Sequence, residues 1–422
     1  MNKMTKVNPF ELKSKNVEEY FMNWDEIYPR PYDKKKVSPW TKVRVILMNG
    51  TEFESNWFLH QFARHVDDND LKRDLALVRR QEQQQQKRIS LLKPIDESIL
   101  EETIGYEQLA IELTAILAQN EDNMENKKAL DFALLEDFDH LYRFSNLLKI
   151  DYGIAAENLV GNYTEIMPGR PTICEHRHPY DSIRKPMNNK KSSDYSKLVA
   201  SIITAAEQQT MNFYMNMAQM YQNDLGRRLF AEIGMIEEQH VSQYESLKDP
   251  NCSWYECWVM HEYTECYLYY SMKEQETDKH IKKIWEEHFK MELSHLKLAL
   301  SYLRKNTNKD IKDLFNNPEF PELLIFGENK EYVRNIIEQT VYNTSYFEDY
   351  VDNRELKDIK RFSFYQDVVN KTNNMVASHK VIKYAIDLFG EDYRYEDTPH
   401  PIKSLQNKTK DNTLVGRDSL KK

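Results

Sequence analysis

Eight acidic residues recur along the chain with a fixed spacing, and three of them are followed by a histidine at the third position. In two successive sets the acids are 30, 25 and 30 residues apart, and the second set lies 155 residues after the first. The acids are Glu52, Glu82, Glu107 and Asp137 in the first set, and Glu207, Glu237, Glu262 and Glu292 in the second. The histidines are His140, His240 and His295, and Gln85 stands at the fourth such position. Carboxylates bridge divalent or trivalent ions, imidazole binds iron, manganese or zinc, and an i, i+3 pair shares one helix face, so the pattern predicts a dinuclear metal site.

Turn-forming residues lie midway between the acids of each pair. They occupy residues 67–70, 120–123, 222–224 and 276–278, where Asp and Asn are frequent. Fifteen residues of helix from turn to acid is about 22 Å on both arms, because a helix rises about 1.5 Å per residue. The spacing therefore predicts antiparallel helical hairpins whose acids lie level with one another.

The same periodicity predicts the organisation of the whole chain. The 25-residue gaps are centred on Pro94 and on Pro250, residues that stop a helix. Long stretches without Gly or Pro predict an all-α protein. Weak similarity at the 155-residue offset predicts that its antiparallel hairpins form duplicated four-helix units, followed by further C-terminal helices. The predicted segments are an N-terminal arm (1–44), a first helical unit (45–149), a crossover loop (150–194), a second helical unit (195–305), a C-terminal helical segment (306–395) and a disordered tail (396–422).

Acids gathered at one level of a helical bundle would repel one another and lose hydration. Without a cation, this arrangement is disfavoured, since buried charges need a partner. Metal binding is therefore preferred to a set of structural ion pairs. The cluster Glu175-His176-Arg177-His178-Pro179 in the crossover is compatible with a lid or a third metal site, but we favour a solvated loop. Its His178 lies in a Pro-containing loop and has no level partner.

These residues resemble the ligand pattern of the ferritin-like di-iron and di-manganese carboxylate proteins, which include rubrerythrins, manganese catalases and several oxygenases. The resemblance covers the pattern from Glu52 to His295 and implies that the duplicated antiparallel hairpins form ferritin-like four-helix bundles. It implies that Glu107, Glu207 and Glu262 are terminal or bridging ligands, and that the three histidines are terminal ligands. The bridging type would be Asp137, Glu237 and Glu292, with Glu136 as a substitute for the shorter Asp137.

Two arrangements of the hairpins remain open, because Glu237 and Glu262 are linked by a tight turn where the family has a long crossover. The first joins the hairpins of the second unit and groups Glu207, Glu237, His240, Glu262, Glu292 and His295. The second joins hairpins across the long loop and groups Glu107, Asp137, His140, Glu207, Glu237 and His240. It leaves Glu52, Glu82, Gln85, Glu262, Glu292 and His295 as a companion site that lacks one imidazole. We favour the second, which reproduces the chain direction of the family.

Composition and charge narrow the class of protein. The 58 basic and 68 acidic residues give a net charge of −10, which argues against a nucleic-acid binder or a protein held on an anionic membrane. No long apolar segment or signal peptide is evident, so we expect a cytoplasmic protein. The four cysteines, Cys174, Cys252, Cys257 and Cys266, lack the Cys-x-x-Cys spacing of a rubredoxin-type iron site or a zinc ribbon.

Taken together, the residues and the resemblance predict an oxidoreductase with a pair of iron or manganese ions that reacts with dioxygen or peroxide. It would be of the oxidase or oxygenase type, or of the peroxidase or catalase type. A small-molecule substrate and a homo-oligomer are both compatible with the sequence. Two alternatives are an iron or manganese ferroxidase or storage protein, and a helical interaction scaffold without metal.

Overall fold

The computed structural model describes residues 6–369 and 376–406, and these residues are mostly helical. The helices are α1 (Trp24–Ile27), α2 (Pro39–Arg64), α3 (Asn69–Ser90), α4 (Ile99–Asn120), α5 (Met124–Tyr152), α6 (Glu157–Val160), α7 (Thr172–Glu175), α8 (Asp194–Met220), α9 (Asp224–Glu245), α10 (Trp254–Gln275), α11 (Lys279–Thr307), α12 (Ile311–Leu314), α13 (Lys330–Thr340), α14 (Lys360–Val369) and α15 (Ala377–Phe389). Short 3-10 helices cover Pro9–Glu11, Val17–Tyr20, Pro179–Ser182, Asn353–Leu356 and Lys403–Leu405. In the described part of the chain, no helix is both long and apolar enough to cross a membrane.

The turns between paired helices lie where the acid spacing predicts them. A capping side chain begins the second helix of each hairpin by accepting hydrogen bonds from backbone N–H groups in its first turn. These caps are Asp68, Asn123, Asn223 and Asp278. The helices that follow begin at Asn69, Met124, Asp224 and Lys279. Each acid-x-x-His or acid-x-x-Gln motif therefore lies on its helix at the same distance from a capped start.

The chain forms two compact units that interleave along the sequence. Unit 1 consists of the residues up to Asp96, Pro186–Ala206 and Lys248–Phe326. Unit 2 consists of Glu97–Lys185, Glu207–Leu247 and the residues from Gly327 onward. Unit 1 thus holds the hairpins α2–α3 and α10–α11, while unit 2 holds α4–α5 and α9 with the part of α8 from Glu207. Each unit takes one hairpin from the predicted segment 45–149 and one from the predicted segment 195–305.

The N-terminal arm, residues 6–38, packs on α3 and α11 within unit 1. Met22 and Ile27 form a buried cluster with Met291 of α11. The backbone carbonyl of Val17 accepts a hydrogen bond of 2.6 Å from the Nε2 of Gln81 on α3. The arm therefore fixes the side chain of a residue that directly precedes one of the predicted ligands.

The C-terminal segment departs from the all-α prediction. In the predicted C-terminal helical segment (306–395), α13 ends at Thr340, and the chain then forms an antiparallel hairpin of β1 (Asn343–Tyr346) and β2 (Asp349–Asp352). Thr344 pairs with Val351 and Ser345 with Tyr350, and the β-branched and aromatic residues of this hairpin favour strands over helix. The fold is therefore mainly α-helical with one small sheet among the described residues.

Part of the predicted tail is also described. Residues 396–406 include the buried His400, whose Nε2 lies 2.7 Å from the carbonyl oxygen of Pro168 in unit 2. Leu405 is buried as well. The remaining tail, 407–422, lies outside the described residues.

The crossover is buried in unit 2 where it passes α5. Its Gly169 donates its N–H to Asp139 Oδ1 at 2.8 Å. A Cβ atom on Gly169 would lie 2.6 Å from the carbonyl oxygen of Leu135 and 3.0 Å from the Cβ of Asp139. Only glycine allows so close an approach, since the nearest obstacle is helix backbone.

We expect Gly169→Ala to lower the free energy of unfolding by about 1–3 kcal/mol, the usual cost of overpacking a well-packed site. Gly327→Ala in the same unit is the matched control, because a Cβ atom there would meet no described heavy atom within 4 Å. Urea denaturation of both variants measures the difference. Equal stabilities for the two variants would contradict the close packing of the crossover on α5.

Candidate metal centres

Unit 2 gathers six of the predicted ligands into two overlapping groups. Asp137, Glu207, Glu237 and His240 offer donor atoms that all lie within 4.8 Å of one another, and so do Glu107, His140 and Glu237. All six side chains are buried. They lie on four helices, α4, α5, α8 and α9. Glu237 belongs to both groups, as a residue that bridges two ions would.

The ring of His240 is held so that Nδ1 faces these carboxylates. Its Nε2 lies 2.7 Å from Oε2 of Glu136, while Nδ1 lies 3.1 Å from Glu237 Oε2 and 3.3 Å from Asp137 Oδ1. An ionised carboxylate can only accept, so Glu136 fixes the proton of neutral His240 on Nε2. The lone pair of Nδ1 is then directed toward the cluster, which is the role that outer hydrogen-bond partners of metal-binding histidines have.

Glu136 is itself held in the charged form. Arg177 Nη1 contacts its two carboxylate oxygens at 2.7 and 2.9 Å, and Arg170 Nη1 lies 3.6 Å away. Burial acts to raise the pKa of Glu136, but Arg177 and His240 outweigh it and hold this pKa at about 2. Glu136 therefore does not substitute for Asp137 in the cluster, as the sequence suggested, but orients His240 from outside.

Arg177 corrects the prediction made for the crossover cluster. Glu175, His176 and Arg177 are buried, with exposed fractions of 0%, 6% and 1%. Arg177 contacts Glu136 on α5. Glu175 lies 3.5 Å from Arg143, which also contacts Asp139 on α5. The prediction of a solvated loop was wrong for these three residues, because the loop supplies the counter-ion Arg177 to the buried Glu136.

Unit 1 gathers its predicted ligands in the same manner. Glu82, Glu262, Glu292 and His295 form one group, and Glu52, Glu82 and Glu265 form a second; within each group the donor atoms lie within 4.8 Å. All are buried, and they lie on α2, α3, α10 and α11. Glu82 belongs to both groups. Glu265, one turn after Glu262 on α10, was not predicted from the sequence.

His295 is oriented in the same way by a neutral partner. Its Nε2 lies 2.7 Å from Gln81 Oε1, and the amide nitrogen of Gln81 donates to the carbonyl of Val17. Because that amide nitrogen is engaged, the oxygen of Gln81 must accept from His295, and the proton of the neutral ring lies on Nε2. Nδ1 then faces Glu82 Oε1 at 3.0 Å and Glu292 Oε2 at 3.1 Å.

The two centres correspond at an offset of 55 residues. Tyr214 donates to Glu107 Oε1 at 2.5 Å in unit 2, and Tyr269 donates to Glu52 Oε1 in unit 1. The outer partners Glu136 and Gln81 are also 55 residues apart. Each tyrosine follows the first acid of its hairpin by seven residues and reaches an acid of the other hairpin in its unit. The residues thus group as in the second of the two arrangements considered from the sequence.

Many of the buried oxygen atoms have no hydrogen-bond partner among the described residues. In unit 2 they include Asp137 Oδ1 and Oδ2, Glu207 Oε1 and Oε2, and Glu107 Oε2, together with His140 Nε2. In unit 1 they include both oxygens of Glu82 and Glu265, Glu52 Oε2 and Glu262 Oε2. Buried polar atoms are nearly always satisfied, so these atoms need a ligand that accepts lone pairs. Metal cations fit this donor set.

The electrostatics of the two centres lead to the same conclusion. Burial, followed by repulsion from neighbouring carboxylates, raises the pKa of Glu107 and of Glu52 well above the usual value. Burial and then Asp137 raise the pKa of Glu207, and burial and then Glu82 raise that of Glu265. Binding a cation would reverse these shifts, because it stabilises the ionised carboxylates.

A cavity of about 260 Å³ opens beside the unit 1 centre. It is lined by Phe58, Ala200, Lys248, Trp254 and His261, among others. His261 Nδ1 lies 3.0 Å from Glu54, and its Nε2 lies 3.5 Å from Oε2 of Glu265. His261 therefore lines this mixed polar and apolar cavity and also contacts the carboxylate cluster.

In comparisons with known proteins, no family model, no curated protein and no solved structure matches the chain.

Proposed function

We propose that each unit binds a pair of transition-metal ions and that the protein is an oxidoreductase that reacts with dioxygen or peroxide. In unit 2, Asp137, Glu207, Glu237 and His240 would hold one ion, and Glu107 and His140 would hold the other with Glu237. One observation carries the proposal. Buried carboxylates, several of whose oxygens have no hydrogen-bond partner among the described residues, surround Nδ1 of His240.

Iron or manganese bound there would supply the electrons for reduction of an oxidant. The chain's own residues do the rest. Tyr214 donates to one oxygen of Glu107, while the other oxygen has no hydrogen-bond partner in the described part of the chain, so that this carboxylate keeps one fixed position. Glu136, backed by Arg177, keeps His240 in the tautomer that can bind. Since all these groups are buried, they are also kept from bulk water.

The cavity beside unit 1 supports an enzyme that admits a small molecule. Its volume of about 260 Å³ lies just below the usual range of about 300–1,000 Å³ for small-molecule sites. Apolar Phe58 and Trp254 and the cationic Lys248 give it a mixed lining. A storage protein would need no such cavity beside its ligands, so the enzyme is preferred.

We expect protein from cells supplied with iron and manganese to carry about two ions per unit, or about four per chain. His240→Ala should reduce this content by about half, because it removes a ligand from unit 2 and leaves unit 1 intact. Inductively coupled plasma mass spectrometry of the purified protein measures the content.

Glu238→Ala is the matched control for this measurement, because Glu238 lies two residues away on α9 but is exposed and contacts Ser242. Its metal content should equal that of the parent. A parent with less than about one ion per chain, or an unchanged content in His240→Ala, would rule out the dinuclear centre in unit 2.

Glu207→Gln should change stability in opposite directions with and without metal. In metal-free protein the raised pKa of Glu207 costs folding free energy at neutral pH, because this acid is ionised in the unfolded chain but must take up a proton or stay among like charges when the chain folds. The amide removes this cost, so the melting temperature should rise by about 2–4 °C, equivalent to about 1 kcal/mol. In metal-loaded protein the melting temperature should fall below that of the parent, because a ligand that stabilises by binding the folded state is weakened. Differential scanning calorimetry with and without a chelator checks both signs. A purely structural role for Glu207 would lower the melting temperature in both states.

The iron-loaded, reduced protein should consume dioxygen, or the manganese-loaded protein should decompose peroxide, while His240→Ala loses the share due to unit 2. An oxygen electrode and a peroxide-decay assay measure the two activities. Native mass spectrometry distinguishes storage: a large hollow oligomer that retains many ions per chain would replace the enzyme with the storage protein. Absence of both activities in fully loaded protein would contradict the oxidoreductase.

A further inference from the structure

We propose that the two units select different ions, with unit 1 taking a larger share of manganese(II) and unit 2 a larger share of iron(II). This inference rests on the proposed function, because it requires that both units bind metal. Its determinants are Gln85 and Glu265 in unit 1 and His140 in unit 2.

The donor sets of the units differ by one residue type. Among the described residues, the groups of unit 1 contain five carboxylates and one imidazole, whereas those of unit 2 contain four carboxylates and two imidazoles. The carboxylate that unit 1 adds is Glu265, and the imidazole that it lacks is that of His140. Both centres still offer six residues in two overlapping groups that share one acid.

Gln85 occupies the position that corresponds to His140. Its amide nitrogen donates to Glu52 Oε1 at 3.1 Å and also to Glu292. His140 instead places Nδ1 3.1 Å from Glu237 Oε1 and leaves Nε2 without a partner in the described residues. An amide nitrogen carries no available lone pair, so Gln85 steers two carboxylates and supplies no nitrogen ligand.

Glu265 offers unit 1 a carboxylate oxygen donor in addition to those of the predicted acids, whereas His140 offers unit 2 an imidazole nitrogen. Its side chain is fully buried, and within the described part of the chain neither carboxylate oxygen has a hydrogen-bond partner. The corresponding position in unit 2 is Thr210, which cannot carry a charge. Glu265 therefore adds both a donor and a negative charge that unit 2 does not have.

The difference in donors sets a difference in ion preference. Carboxylate oxygen suits manganese(II), while imidazole nitrogen favours iron(II), which also stands above manganese(II) in the usual order of affinities. Replacing an imidazole by a carboxylate thus reduces the difference by which the affinity for iron(II) exceeds the affinity for manganese(II). We expect the ratio of manganese to iron to be about tenfold higher in unit 1, a difference of about 1.4 kcal/mol in relative affinity.

The test loads metal-free protein, without oxygen, with equal concentrations of manganese(II) and iron(II). His240→Ala reports unit 1 and His295→Ala reports unit 2, since each variant disables one centre. The manganese-to-iron ratio is read by plasma mass spectrometry, and manganese(II) electron paramagnetic resonance gives an independent readout. A ratio that is equal in the two variants would overturn the selectivity and leave the proposed function intact. Failure of both variants and of the parent to bind either metal would overturn both.

Reciprocal substitutions then test the determinants. Gln85→His in the His240→Ala background should shift unit 1 toward iron, and His140→Gln in the His295→Ala background should shift unit 2 toward manganese. Glu265→Gln, which keeps the shape of the side chain, should lower the manganese share of unit 1 even where Gln85→His does not fold. Unchanged ratios in the folded variants would overturn the assignment of these residues.

Discussion

The structure depends on the burial of like charges. Five carboxylates in one unit and four in the other have donor atoms within a few ångströms of one another, away from water. Two like charges about 4 Å apart repel by about 4 kcal/mol even at an effective dielectric constant of about 20. Burial and this repulsion raise the pKa values of Glu107 and Glu207, which favours protonation of such acids in the metal-free protein. A pair of cations would remove the repulsion, and the surrounding helices hold the acids close together.

The same layout is built twice with different supports. In each unit a residue just before an acid accepts from the far nitrogen of a histidine on the other hairpin, so Nδ1 faces the cluster. In unit 2 this residue is Glu136, charged and backed by Arg177; in unit 1 it is Gln81, neutral and backed by the N-terminal arm. A charged partner strengthens the imidazole as a donor more than a neutral one does. The two centres therefore orient their histidines in the same way. They differ in the charge of the residue that accepts from the histidine, as well as in the candidate ligands.

The sequence predicted the clustered residues better than their surroundings. Regular spacing and midpoint turns were sufficient to bring the predicted acids and histidines of each unit to one level of its helices, because helical rise and capping are local properties. Their role as metal ligands stays a prediction. Glu265 was missed because nothing at the repeated positions matches it: Ala110 and Thr210 stand there instead. The roles of Glu136 and Arg177 depend on contacts 41 residues apart in sequence, which no local pattern encodes. The β1–β2 hairpin was missed because its short strands lie within a segment with a helical pattern.

Anomalous X-ray diffraction at the iron and manganese absorption edges tests the central claim most directly. Crystals of the metal-loaded protein should show two strong anomalous peaks within each unit, one of them beside His240 Nδ1 in unit 2 and one beside His295 Nδ1 in unit 1. Carboxylate clusters that hold only water, or paired protonated acids without an anomalous peak, would contradict the account.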